Sequence, residues 1–143
     1  MRQHTRLATA ILVALIFAGG CRAMDDTAAP SAVTDTRWRV EDIDGARADA
    51  ASSTLQFQGA DKISGSTGCN RYSAPVTLTG DGLQIGPVIA TRKACPPPLM
   101  QQEQRFTAAL AAAHRYTVDE RYLLIFDASG KERLRLGRDT GPE

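Results

Sequence analysis

The sequence contains little of what usually builds a catalytic or metal site. It has two histidines, and only His114 lies outside the first few residues. A cysteine nucleophile needs a base, most often histidine, and a zinc site needs clustered cysteine and histidine ligands. Cys69 and Cys95 stand 26 positions apart, which is not zinc-ligand spacing. A Cys69 and His114 pair is the remaining catalytic alternative, but the simpler explanation of His114 is a helix-end residue, where a partly positive imidazole meets the negative end of the dipole.

The sequence also lacks an excess of charge of either sign. It has 17 basic and 16 acidic residues, and removal of Arg2 and Arg6 with an N-terminal signal leaves 15 against 16, a net charge of −1. The basic residues are scattered, whereas a nucleic-acid-binding domain concentrates them on one face. The glycines at positions 65, 68, 80 and 82 open no helix with the Lys and Ser or Thr of a phosphate-binding loop. We therefore expect no nucleic acid, no cofactor and no metal.

A long hydrophobic run is absent as well. The apolar stretch Leu7 to Phe17 follows a basic start and ends in small residues, which is the layout of a secretory signal over residues 1–20. It is too short to span a bilayer core of roughly 30 Å, so a permanent transmembrane helix is the weaker interpretation. The small residues before Cys21 resemble a bacterial lipobox, in which the cysteine is acylated and becomes the first mature residue. An ordinary secretory cut that leaves Cys21 as a thiol remains the alternative.

Residues 21–35 are rich in Ala, Thr, Asp and Pro and have almost nothing large to bury. This composition predicts a flexible tether between the lipid at Cys21 and a folded domain at residues 36–138, with a tail at 139–143. Cys21 is followed by Arg22. Because an Asp at that position usually signals retention at the inner membrane of Gram-negative bacteria, the lipoprotein resemblance favours the outer membrane. The predicted location is the periplasmic side of a membrane.

If the lipid uses Cys21, two of the three cysteines remain, Cys69 and Cys95. An even remainder in an exported chain suggests one disulfide.

In the domain, apolar and polar residues alternate over short segments that turn residues separate, which is typical of short strands. About seven strands are expected, at Trp38 to Ile43, Leu55 to Gln58, Lys62 to Ser66, Pro75 to Thr79, Leu83 to Val88, Tyr122 to Phe126 and Arg133 to Leu136. One segment differs: a proline run is followed by good helix formers, with Leu99, Phe106, Leu110 and Ala113 on one face. The predicted class is α+β, a mostly antiparallel sheet with one amphipathic helix at about residues 98–113.

Glu103 lies on the edge of that apolar helical face. A carboxylate there needs partners, because an unpaired buried charge is costly. The structural interpretation is that Glu103 accepts hydrogen bonds from a neighbouring loop or pairs with an arginine such as Arg71. The functional interpretation is an acid or base in a cleft, and it is the weaker of the two.

Two stretches carry a resemblance to a known family. ISGSTGCNRY over residues 63–72 and ATRKACPPPLMQQEQRF over 90–106, with Trp38 before them and a final hairpin after them, resemble the META domain of HslJ-like bacterial lipoproteins. One departure is Lys93, where the family commonly has methionine. The matching positions are Gly68, Cys69, Asn70, Tyr72, Thr91, Cys95, Pro96, Met100 and Glu103.

This resemblance implies a small, strongly bent antiparallel sheet, partly barrel-like, with one helix, and links the chain to heat or antibiotic stress at the envelope. The resemblance assigns no catalytic residue to this chain. A Cys69 to Cys95 bond would join the GCN turn to the segment entering the helix, and Asn70, which tolerates left-handed backbone, suits that turn. We therefore expect a monomeric, non-catalytic, membrane-anchored domain with an interaction or protective role and an envelope protein as partner. A small-ligand site on the concave face of the sheet is the alternative, and an enzyme using Cys69 or Glu103 is least expected.

Overall fold

The computed structural model describes residues 32–49 and 53–141. The predicted signal, Cys21 and most of the predicted tether lie outside the described residues. Val33 falls within the segment assigned to the tether, yet it is fully buried and belongs to the core. Packing of the domain therefore reaches back at least to this valine.

The described chain forms ten strands and one helix. Their bounds are β1 Arg37–Ile43, β2 Ala46–Arg47, β3 Thr54–Gln58, β4 Lys62–Ser66, β5 Arg71–Thr79, β6 Gly82–Ile85, β7 Ile89–Ala90, α1 Pro97–Ala111, β8 Arg115–Val118, β9 Tyr122–Phe126 and β10 Glu132–Arg138.

Eight of the strands close into an antiparallel barrel. The order β10, β9, β8, β6, β5, β4, β3, β1 is completed by pairing of β1 with β10, in which Trp38 faces Arg138 and Val40 faces Leu136. Short β2 pairs with β1, and short β7 pairs with β5. The expectation of a mostly β domain with one helix is confirmed. The sheet is a closed barrel, however, and not only strongly bent, and the expected count of about seven strands is too low.

The strand that was missed within the barrel is β8. Arg115 and Tyr116 follow the predicted helix at about residues 98–113 without a turn signal, and the sequence analysis predicts no strand for them. In the structure the helix ends at Ala111, and Tyr116 is fully buried on β8. The strand is held by pairing with β9 over four residues and by contact with β6 at Gly82.

The inner face of the barrel is the hydrophobic core. Alternate residues point inwards on the long strands, as in β5, where every second position from Tyr72 to Val76 is buried. The largest fully buried side chains are Trp38, Tyr116, Phe57, Phe106, Ile43, Leu55, Ile63, Leu83, Leu110, Leu123, Ile125 and Leu134. The concave face, proposed from the sequence as an alternative ligand site, is therefore filled by side chains.

The helix starts after Pro96, with prolines in its first turn, where a missing N–H costs nothing. Its buried residues are Gln102, Phe106, Ala109 and Leu110. Phe106 and Leu110 match the predicted apolar face, whereas Leu99 is only partly buried. No described helix has the length and apolar character needed to cross a membrane.

Candidate functional site

A group of buried polar residues lies where the helix meets β4 and the start of β5. The buried polar residues in the described ranges are Ser53, Thr67, Asn70 and Gln102, each no more than 5% exposed. Partly buried Glu103 and exposed Thr91 are bonded to them. We call this set, Ser53, Thr67, Asn70, Thr91, Gln102 and Glu103, the polar corner.

A tight turn from Thr67 to Asn70 forms the base of the polar corner. The Thr67 N–H donates to the Asn70 carbonyl at 2.7 Å, and the Asn70 N–H donates to Thr67 Oγ1 at 2.9 Å. Between them, Gly68 has φ of 101°, in the region that favours glycine. Its N–H donates to Ser66 Oγ at 3.0 Å. The sequence GSTGCN is thus a turn whose backbone groups are satisfied locally.

Asn70 connects three segments through its side chain. Its Nδ2 donates to Glu103 Oε2 at 2.9 Å and to Oε1 at 3.2 Å. Its Oδ1 accepts from Thr91 Oγ1 at 2.8 Å and from the Lys93 N–H at 2.7 Å. The contact at position 93 is made by the backbone N–H, so it does not depend on whether the side chain is Lys93 or the methionine common in the family. Asn70 therefore joins the turn, the segment before the helix and the helix itself.

Glu103 receives its hydrogen bonds from the turn, as the structural interpretation of the sequence predicted. Besides the Asn70 amide, the Thr67 hydroxyl donates to Glu103 Oε2 at 2.7 Å. Arg71 forms no ion pair with Glu103 among the described residues, so the suggested arginine partner is wrong. The carboxylate is held by neutral donors, each of which also bonds elsewhere.

A second chain of bonds begins one residue earlier on the helix. Gln102 Nε2 donates to Ser53 Oγ, and Ser53 Oγ donates to the Thr67 carbonyl, both at 2.9 Å. Gln102 Oε1 accepts the Asp49 N–H at 2.8 Å. The sequence analysis missed Ser53, Thr67 and Gln102. Only the burial of Gln102 could have been predicted, because Gln102 lies four residues before Phe106 and therefore on the same face of the helix.

Cys69 and Cys95 form a disulfide beside this network, with their Cα atoms 6.0 Å apart. That separation is within the usual range of about 4.4 to 6.8 Å. The bond ties the Thr67 to Asn70 turn to the residue just before Pro96 and the helix. A sulfur in a disulfide has no thiolate to act as a nucleophile, so Cys69 in this state has no role in covalent catalysis.

Tyr72 extends the polar corner into the core. Its hydroxyl donates to the Thr54 carbonyl at 3.0 Å, and its ring meets Phe106 edge-on at 5.5 Å between centroids. Burial raises the pKa of the Tyr72 phenol above its ordinary value, which keeps the hydroxyl a donor. Tyr72 therefore joins the sheet to the helix by packing and by one hydrogen bond.

The other matching positions have simpler surroundings. Thr91 Oγ1 accepts the Arg71 N–H at 3.2 Å while it donates to Asn70, and Pro96 accepts the first helical N–H groups through its carbonyl. Met100 is 43% exposed and lies away from the buried face of the helix. Cys21 lies outside the described residues. The structure thus brings together all of the positions that match the family except Met100.

The polar groups of the corner are bonded to one another and to neighbouring backbone. The oxygens of Glu103, Thr67 and Asn70 are engaged in bonds within the chain. His114 is exposed, two residues beyond Ala112 at the end of the helix, and its backbone bonds to Phe126 and Leu83. Within residues 32–49 and 53–141, no three His, Cys, Asp or Glu side chains are grouped in a way that could hold a metal ion. What the polar corner can do with these groups is hold three chain segments in one arrangement.

Comparison with known proteins gives a family and a fold. The META domain profile matches residues 31–140. No curated protein matches the sequence. Among solved structures, an NMR structure of a protein from Burkholderia xenovorans is 26% identical, with 96% of this chain and 99% of that chain covered and a TM-score of 0.63.

Two further structures share the fold at lower identity. One NMR structure is 23% identical, with 76% of this chain and 93% of that chain covered and a TM-score of 0.61. A crystal structure of a DUF4847 family protein from Bacteroides vulgatus is 14% identical, with 78% and 98% covered and a TM-score of 0.59. The profile match spans the barrel, the helix and the polar corner, and on this basis the chain belongs to the META domain family.

Proposed function

We propose that the chain is a non-catalytic domain of the bacterial envelope, anchored through a lipid at Cys21, which acts by interaction with another envelope component and protects the cell under heat or antibiotic stress. The observation that carries the non-catalytic part is the saturation of the polar corner. Asn70 and Glu103, the residues most suited to chemistry, are hydrogen-bonded to each other, and Glu103 also accepts from Thr67 in the turn. Cys69 is bonded in a disulfide.

Two features support an exported location. Disulfides persist in oxidising compartments and are rare in the bacterial cytosol, so a Cys69 to Cys95 bond fits the periplasm. The basic start, short apolar run and small residues before Cys21 fit a lipoprotein signal. An acylated Cys21 with two or more chains would anchor the domain stably, where one chain would be marginal.

The anchor is tested by metabolic labelling with a clickable fatty acid in a Gram-negative host that expresses the full chain. We expect lipid label on the wild type and none on Cys21→Ala, with the label confined to the outer-membrane fraction. Inhibition of the lipoprotein signal peptidase should cause the unprocessed form to accumulate. If the signal is cleaved in the presence of the inhibitor and the protein carries no lipid label, the chain has an ordinary secretory signal and the proposed anchor is wrong.

The non-catalytic role is tested by separating the carboxylate from the fold. The paired substitution Asn70→Asp with Glu103→Gln exchanges the charge between the two side chains while an amide still faces a carboxylate. If the corner is structural, this pair should keep both the fold and survival of stressed cells, measured against a deletion strain. A pair that folds normally but fails to protect would indicate that Glu103 acts chemically.

The interaction is tested by photo-crosslinking of the anchored protein in intact cells. Because the partner is unidentified, photoreactive residues are placed at separate exposed positions, such as Ile89 and Met100, which are 73% and 43% exposed. A crosslinked product that recurs at one position and is absent at the other would support a defined interface. Absence of specific products at all positions tried would contradict the interaction role.

A further inference from the structure

A polar groove runs across the outside of the barrel, over β1, β3, β4 and β5. Its volume is about 360 Å³. Its polar lining includes Arg37, Gln56, Gln58, Ser64, Ser66 and Arg71. The groove is separate from the inner face of the sheet, which the core fills.

The strand register explains why these residues share one face. Arg37 pairs with Gln56, and Gln56 pairs with Ser64, so the three side chains form a row across β1, β3 and β4. On β5, Arg71 pairs with Ser66. Residues paired directly across neighbouring strands point to the same face. The two arginines therefore stand on the outer strands of the four, with amides and hydroxyls between them.

Gly65 lines the groove at a position where no side chain would fit. It pairs with inward-pointing Tyr72, so a side chain at position 65 would also point inwards. A Cβ atom there would lie 2.1 Å from the Thr54 carbonyl oxygen. The absence of a side chain leaves room for this carbonyl, to which the Tyr72 hydroxyl donates a hydrogen bond.

The charge of the groove is of one sign. No carboxylate is among its lining residues. Arg37 donates to Gln56 Oε1 at 3.3 Å, and neither Arg37 nor Arg71 forms an ion pair within the described residues. Other arginines of the barrel differ, since Arg39 and Arg133 are paired with aspartates. Two guanidinium groups without a counter-charge thus flank a row of neutral hydrogen-bonding groups.

We propose that this groove binds an acidic sugar, a hydroxyl-rich ligand that carries a phosphate or a carboxylate. Guanidinium groups pair with both oxyanions, often through two parallel hydrogen bonds. Ser64, Ser66 and the Gln56 and Gln58 amides supply both donors and acceptors, which matches the two-way bonding of sugar hydroxyls. The inference depends on the groove alone, and it stands whether or not Cys21 is acylated.

Titration of the ¹⁵N-labelled mature chain, residues 21–143 with Cys21→Ser so that no lipid is attached, tests the ligand class by NMR; its fold is verified first from the dispersion of its amide signals. The probes are glucose 6-phosphate, glucuronate, glucose and inorganic phosphate. We expect saturable shifts at the Ser64 and Ser66 amides with both acidic sugars, and at least tenfold weaker binding of glucose. Binding of inorganic phosphate as tight as that of glucose 6-phosphate would overturn the role of the hydroxyls. No saturable shift with either acidic sugar would overturn the site.

Arginine variants test the position of the anion. Arg37→Gln and Arg71→Gln should each weaken binding at least tenfold, because each removes a charge-assisted hydrogen bond to the anion. Arg105→Gln is the matched control, because Arg105 is exposed on the helix and does not line the groove. An equal loss in Arg105→Gln would show that net charge alone attracts the probes, and would contradict a defined site. All three side chains are exposed, so the amide spectra of the variants should otherwise match the wild type.

Discussion

Asn70 and Glu103 bond to each other across 33 positions of sequence, with the amide of one donating to both carboxylate oxygens of the other at 2.9 and 3.2 Å. One partner lies in the turn that begins β5 and the other in the first half of the helix. Since the Asn70 oxygen also accepts from Thr91 and the Lys93 backbone, this pair fixes the helix to two separate loops. Together, these motif residues hold the helix in position against the barrel.

A double-mutant cycle on this pair should show strong coupling. Asn70→Asp alone places two carboxylates within hydrogen-bond distance at a largely buried site, and should lower the free energy of unfolding by ~3 kcal/mol. Glu103→Gln alone leaves one amide group facing another and should cost ~1 to 2 kcal/mol. The two changes together restore a donor facing an acceptor, so their combined cost should be clearly smaller than the sum. Urea denaturation of the four proteins measures the cycle, and strict additivity would contradict the proposed bonding.

The Cys69 to Cys95 disulfide should contribute a large part of the domain's stability. It closes a loop with a sequence separation of 26, for which the chain-entropy model gives roughly 3.5 kcal/mol. Cys69→Ala with Cys95→Ala should therefore lower the midpoint of thermal unfolding markedly in the soluble domain. Reduction of the wild type should give the same shift, and reduction of the double variant should give none. A reducing agent that leaves the wild-type midpoint unchanged would mean that the bond does not brace the fold.

Much of this arrangement was predictable from local sequence, and the rest was not, for identifiable reasons. The spacing from Leu99 to Phe106 was enough to place Glu103 near the buried edge of the helix, and cysteine parity was enough to suggest the disulfide. Closure of the barrel was different, because it depends on Trp38 meeting Arg138, 100 positions apart, and alternation within each strand does not show its partner.

The buried amide and hydroxyls were missed for a related reason. Gln102 and Ser53 are polar residues of kinds that are mostly exposed, and their burial is tolerable because they bond to each other, to the Asp49 N–H and to the Thr67 carbonyl. Such a contact joins residues 49 positions apart and leaves no local pattern. Met100 shows the opposite case: it lies within the motif that carries the family resemblance, yet its side chain is 43% exposed and takes no part in the corner.

Gly65 should be intolerant of any side chain. In Gly65→Ala the new methyl group would meet the Thr54 carbonyl oxygen at 2.1 Å, and Thr54 is backbone that the Tyr72 hydroxyl holds in place. We expect a loss of about 3 kcal/mol in the free energy of unfolding, typical of a severe overpacking change. Ser64→Ala, one residue earlier and pointing outwards, should change stability by less than ~0.5 kcal/mol. Equal effects of the two substitutions would show that Gly65 has no special steric role.

Removal of the hydroxyl should destabilise the fold at one of two buried tyrosines and not at the other. Tyr72→Phe loses the bond to the Thr54 carbonyl and should cost about 1 kcal/mol. The Tyr116 hydroxyl is buried and finds no partner among the described residues, so Tyr116→Phe should be neutral or stabilising. Chemical denaturation of both variants under one condition makes the comparison. Destabilisation by Tyr116→Phe of the size seen for Tyr72→Phe would imply a bond to the Tyr116 hydroxyl, for example from a water molecule.

Asp127 should make the domain less stable in acid. It lies in the turn between β9 and β10, where its Oδ1 accepts from the Ser129 hydroxyl at 2.6 Å and from the Ser129 and Lys131 N–H groups. The Ser129 hydroxyl above all, and then the backbone donors and Arg133, hold the pKa of this carboxyl below its ordinary value of 3.8. Because the folded pKa is the lower one, the ionised carboxylate stabilises the fold above the unfolded value, and this contribution is lost as pH falls through the folded value.

Asp127→Asn should therefore flatten the pH profile of stability as well as lower stability at neutral pH. The free energy of unfolding, measured by urea denaturation from about pH 7 down to about pH 2, should fall less steeply in the variant below the ordinary carboxyl range. Glu120→Gln is the matched control, since Glu120 is exposed and its carboxylate accepts no hydrogen bond from the described residues. Its profile should follow the wild type. Parallel profiles for Asp127→Asn and the wild type would show instead that the turn is held by its backbone, with Gly130 at φ of 84° and its N–H bonded to the Asp127 carbonyl, and that the ionised side chain adds nothing to the fold.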